Sequence, residues 1–203
     1  MSGVQAMAER AFSLVESSLK SGGMDLNNPD HMAAYKEVSD ALMASAYAAM
    51  KNPNAFVDGP GADDFTANDF LTALRNTDIV MTGSSDATPG QFTTNPATNR
   101  GRITLSATAI RTTMPNENFI TAVSTSLFHE LGHAMAGGRA DLATTWGAFR
   151  TANSTLSEQA LRSAFSVSPE GIAYEHRTTT RGWGIAGIAN RPFDPGITGW
   201  APR

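Results

Sequence analysis

Apolar residues recur at helical spacing in the first stretch of the chain. Met7, Phe12, Leu14, Val15 and Leu19 mark one face of a helix expected from about Ala6 to Lys20. The "SGG" at 21–23 stops it, because glycine accepts the backbone turn past a helix end. A second helix is expected over Pro29–Lys51, with proline in its first turn and "NPN" after it. A third, "TANDFLTALRN", starts at Thr66, whose hydroxyl can cap the free N–H groups. The pattern then changes. "DIVMT" (78–82) and "GRITLSA" (101–107) are β-branched runs that read as strands. Between them "GSSDATPGQFTTNPATNR" (83–100) is made of turn formers and polar residues and reads as a long surface loop.

Helical spacing returns in "PNENFITAVSTSLFHELGHAMAGG" (115–138). Asn116 or Asn118 caps, Ile120, Val123, Leu127, Leu131 and Ala134 mark the apolar face, and Gly137–Gly138 ends the helix. "TLSEQALRSAF" carries Thr155 and Glu158 at capping-box spacing. "SPEGIAYEHRTTTR" has Ser168 as cap and Pro169 at the first helical position. The Gly/Pro-rich tail from 182 to 203 reads as irregular. Helices, then strands, then helices give an α+β fold with a small β-sheet. No repeat or linker divides the chain, so one domain over 1–203 is expected, with a helical part at about 1–76 and a motif-bearing part at about 77–203.

Composition narrows the function. Of 203 residues, 41% are hydrophobic and 17% charged, enough apolar material for a core. The net charge of −4, without any Lys/Arg run, argues against nucleic acid or an anionic membrane as partner. The absence of cysteine removes disulfides and thiolate chemistry. The N-terminus lacks the basic-then-apolar pattern of a signal peptide, and "ALMASAYAAM" (41–50) is too short to span a bilayer, so membrane insertion is not expected.

The chemistry concentrates at "HELGH" (129–133). On a helix, positions i and i+4 point the same way, so His129 and His133 can hold one ion between them. Glu130 flanks that face and is placed to take a proton from a water on the metal. Two of the chain's four histidines at this spacing, with a glutamate where hydrolysis needs one, favour a Zn2+ site over an ordinary helix. A catalytic zinc wants a third protein ligand and an open position. The short-spaced patterns fail: Ala136 and Arg139 stand where a metzincin needs Gly and His. Downstream carboxylates remain. Glu158 reads as a cap and Glu170 as a first-turn charge, which leaves Glu175, mid-helix in "YEHR", as the preferred ligand and His176 or Asp141 as alternatives. Tyr174, His176, Arg177 and Arg181 could each donate to a developing oxyanion, Tyr174 and His176 being singled out as catalytic candidates. Arg177 and Arg181 read more simply as a solvated helix face, His31 as exposed, and "GRITLSA" as an edge strand able to align an extended peptide.

Through "HELGHA" (129–134) and "YEHR" (174–177) the chain resembles the zincin metallopeptidases of the gluzincin branch, over roughly residues 100–185. The long spacing between the two motifs is similar to that of bacterial effector metallopeptidases carried at the C-terminus of type VI secretion spike (VgrG) or Rhs proteins. This resemblance implies a zincin fold, His129, His133 and Glu175 as zinc ligands, and Glu130 as general base. It also implies a protein or peptide substrate, delivery into a target cell without a classical signal peptide, and a cognate immunity protein as partner. Thr179 stands where thermolysin-like enzymes have an aspartate, so a carboxylate orienting a histidine must come from elsewhere. Two other functions fit the same residues: a zinc-stabilised binding module, marked by a fourth ligand such as His176, and a hydrolase of peptidoglycan cross-links.

Overall fold

A computed structural model describes residues 3–54, 65–85, 88–95, 97–191 and 194, with the backbone alone described for 136–143. The described elements are α1 (Gly3–Ser18), β1 (Leu19–Ser21), α2 (Pro29–Lys51), α3 (Ala67–Arg75), β2 (Thr77–Thr82), β3 (Gly90–Thr94), β4 (Gly101–Ser106), α4 (Ala107–Thr113), α5 (Phe119–Ala134), α6 (Ala136–Ala152), α7 (Glu158–Ser166) and α8 (Pro169–Ile188). They form an α+β fold around one small mixed sheet.

The sheet runs in the order β1-β2-β4-β3. β1 and β4 both lie parallel to β2, and β3 runs antiparallel to β4. Two expectations change here. The segment expected as an edge strand forms β4 at Gly101–Ser106, an inner strand flanked on both sides, with Ala107 opening α4; the edge beyond it is β3, which forms within the segment read as a loop. β3 exposes Gln91, Thr93 and Thr94 and half-buries Phe92, so its apolar signal is one residue deep and was hidden among turn formers.

Helix ends follow local chemistry. Asn28 caps α2, Thr66 and Asp69 form a capping box on α3, and Asn118 caps α5. Ser168 caps α8 with Pro169 at its first position, as the sequence indicates. Ser157, not Thr155, caps α7, and Glu158 instead pairs with Arg150 and Arg162. The first helix ends at Ser18 and hands Leu19 to β1, leaving Phe12 exposed on its outer face. Ile120 is exposed too. α5 is buried almost all round rather than along one stripe, because it runs through the middle of the molecule, against α2, α8 and the sheet.

The Gly137–Gly138 pair does not end that helix. The chain breaks at Met135, and α6 then includes both glycines. Nor does α8 end at Arg181. It continues through Gly182, Gly184, Ile185 and Ala186, all buried, because small residues let it lie close to its neighbours. It closes in a Schellman turn, with Asn190 at φ 51° and the Arg191 N–H donating to the Ala186 carbonyl. The tail beyond, apart from Asp194, lies outside the described residues. Among those residues no helix is long and apolar enough to cross a membrane.

His31, expected at the surface, is 7% exposed. Its Nδ1 accepts from the Asp25 N–H, so its Nε2–H donates to Thr108 Oγ1, which donates on to the Gly83 carbonyl. This histidine pins the start of α2 to the end of the sheet.

Candidate metal centre

The site forms where α5 crosses α8. Gly132 makes that crossing close: a Cβ built there would fall inside van der Waals contact of the Thr178 carbonyl oxygen and 3.2 Å from its carbon. The glycine of "HELGH" therefore sits against the backbone of α8, and this contact brings Glu175 to the two histidines.

His129 Nε2 lies 3.1 Å from His133 Nε2 and 3.4 Å from Glu175 Oε2, and His133 Nε2 lies 3.9 Å from the same oxygen. Three lone-pair atoms this close repel one another unless a proton or a cation sits among them. A tetrahedral zinc with bonds of about 2.0–2.1 Å sets its ligand atoms about 3.3 Å apart. The 3.1 and 3.4 Å edges lie close to that spacing, and the 3.9 Å edge between His133 and Glu175 is longer. Among the described residues no fourth His, Asp or Glu joins this group.

Supporting contacts orient the ligands. Tyr174 Oη lies 2.6 Å from His133 Nδ1 and also bonds the Thr178 hydroxyl. With Nδ1–H donating to Tyr174, His133 turns the lone pair of Nε2 toward the triad. Tyr174, expected as a catalytic candidate, thus holds His133 in place while also lining the cleft. Burial raises the Tyr174 hydroxyl above its usual range, so it stays protonated. The Phe92 ring stacks on His133 at 6.4 Å and 9°. Arg181 is 1% exposed, not part of a solvated face. Burial first, then the neighbouring His129, holds His133 down at about 3, with Glu175 opposing and Arg181 adding a smaller push.

Glu130 is 3% exposed. Burial first, then the Glu175 charge, pushes its carboxyl up to about 8, partly offset by a hydrogen bond from the Phe92 N–H. β3 passes directly over this carboxylate: a Cβ on Gly90 would stand 2.8 Å from Glu130 Oε1 and 2.9 Å from its Cγ. Gly90→Ala is accordingly expected to displace the Glu130 carboxylate while leaving the three donor atoms in place. Divalent-metal binding by the variant should match the parent while its stability at pH 8 changes; an unchanged pH profile of stability would mean that β3 does not press on Glu130.

His176 is exposed and is not part of the triad, which takes Glu175 from the same turn of α8. The Asp141 side chain lies outside the described residues. Glu130, His133, Tyr174 and Glu175 line a cleft of about 450 Å³ together with residues the sequence did not single out: Gly90 and Phe92 from β3, Trp146 from α6, and Arg162 and Phe165 from α7. A short β-branched run, "QFTT", was the one signal for β3. The α6 and α7 residues carry none, since only folding brings them to the cleft.

No family model matches the chain, and neither a curated protein nor a solved structure does.

Proposed function

We propose that this protein is a zinc-dependent metallopeptidase, with His129, His133 and Glu175 as ligands and Glu130 as general base. The observation that carries this reading is the convergence of three donor atoms, 3.1–3.9 Å apart, beside a buried carboxylate at one cleft. Zinc bound there would lower the pKa of a coordinated water and polarise a carbonyl. The chain's own groups supply the rest. Glu130 takes a proton on its carboxylate and can return it to a leaving amine. The Phe92 N–H holds that carboxylate in place. The Tyr174 hydroxyl keeps His133 in one tautomer. Among the described residues three protein donors converge, and a three-donor site leaves a position for water, as hydrolysis needs.

Elemental analysis of the purified chain tests the metal. One equivalent of zinc is expected, lost in His129→Ala and Glu175→Ala and retained in His176→Ala. Zinc that survives Glu175→Ala would remove Glu175 from the ligand set. Cleavage of casein, with no release from purified peptidoglycan, is the expected activity; the reverse would move the substrate to cell-wall cross-links. Delivery as a toxin domain remains tied to the effector resemblance, and neutralisation by a protein encoded beside it is the matching assay.

A further inference from the structure

The α6–α7 hairpin carries side chains that no metal chemistry requires. Trp146, Phe149 and Phe165 form an edge-to-face cluster: Trp146 and Phe165 are 5.2 Å apart at 83°, and Phe149 and Phe165 are 5.2 Å apart at 69°. A fully internal cluster would be buried, yet all three are only half-buried, and Trp146 and Phe165 line the cleft beside His133 and Glu175. Arg162 lines it as well. Its Nε donates to Glu158 at 3.3 Å, and Glu158 also pairs with Arg150 at 3.8 Å. That anchor holds Arg162 through its Nε and leaves its two terminal nitrogens facing the cleft side without a hydrogen-bond partner among the described residues. A guanidinium presented this way matches a carboxylate.

We infer that the α6–α7 hairpin is a substrate-recognition subsite. It takes a large apolar side chain against Trp146 and Phe165 and a neighbouring carboxylate at Arg162. This rests on the peptidase reading for its placement, but binding tests it separately. The cleft volume of about 450 Å³ suits one or two residues of an extended peptide, not a folded surface. An aromatic side chain stacked on the half-exposed wall would remove apolar area from water on both partners. The acidic group would offset a charge that Glu158 only partly neutralises. The selected segment is therefore an aromatic or large aliphatic residue next to aspartate or glutamate.

The test uses full-length Glu130→Gln protein, which binds without turnover. Titration calorimetry would follow a blocked pentapeptide with phenylalanine followed by aspartate, beside versions with alanine for phenylalanine and with asparagine for aspartate. Each replacement is expected to weaken binding about tenfold or more. Trp146→Ala should erase the phenylalanine preference and keep the aspartate one. Arg162→Gln should do the opposite, and Arg162→Glu should favour a lysine in place of the aspartate. Arg162 is exposed, so its variants are expected to fold like the parent. Equal binding of the three peptides, no binding of any, or preferences that survive both substitutions would overturn the subsite. Preferences present in a protein that neither holds zinc nor cleaves casein would leave the subsite standing and remove the peptidase reading.

Discussion

Glu130→Gln is expected to lower peptide hydrolysis by about 10²–10⁴-fold while zinc content stays at one equivalent, because the substitution removes a proton acceptor and no ligand. The same variant is expected to change stability with pH in the metal-free protein. Glu130 holds its proton up to about pH 8 in the folded chain, against an ordinary value of 4.5. The stability this contributes is complete below pH 4.5 and is lost as the pH rises through 8. His133 acts in the other direction. Its folded value of about 3, against 6.5, contributes stability that is complete above pH 6.5 and is lost as the pH falls toward 3. Metal-free protein should therefore be most stable between about pH 4.5 and 6.5, the window set by the two ordinary values. Gln at 130 removes the alkaline loss only. Melting temperatures in chelator should show the variant above the parent at pH 8 and close to it at pH 4. Parallel curves would mean that Glu130 is not buried beside Glu175 as described, and retained hydrolysis would assign the base to another group.

Gly132→Ala carries the second large effect, and two physical tendencies predict opposite signs for it. Helix propensity alone favours alanine over mid-helix glycine by about 1 kcal/mol. The crossing opposes it, because the new methyl meets the Thr178 backbone rather than the tip of a flexible side chain. Overpacking of this kind costs about 1–3 kcal/mol, and a contact against main chain belongs at the upper end. The expected net result is a melting temperature roughly 3–8 °C lower. The separation of α5 from α8 should also pull Glu175 away from the histidines, with weaker zinc binding even where the chain is folded. Gly132→Ser should behave the same way, since any Cβ produces the contact. A stabilised Gly132→Ala would reject the close crossing, and with it the explanation of how Glu175 reaches the site.

The chain order of residues determined the pairing of the two histidines and little beyond it that depends on distance. His129 and His133 share a helix, and a helix places i and i+4 together wherever it sits. Caps at Asn118 and Ser168 and the proline at 169 are likewise local, so both ligand-bearing helices could be read directly, and Glu175 could be preferred once nearer carboxylates had other uses. Local rules did not reach where stopping signals were overridden. Glycines at 137–138 and 182–187 read as breaks, but α6 includes the first pair and α8 runs through the second set, with Gly182 and Gly184 buried. The edge strand was invisible because five residues with one apolar side chain carry no period. Asparagines and hydroxyls cap helices within three residues, whereas the reach of Glu175, the burial of His31, the pressure of Gly90 on Glu130 and the cleft wall of Trp146 and Phe165 join segments far apart in the chain. Those contacts exist because helices and strands pack to exclude water, and which side chains meet there is decided by tertiary structure.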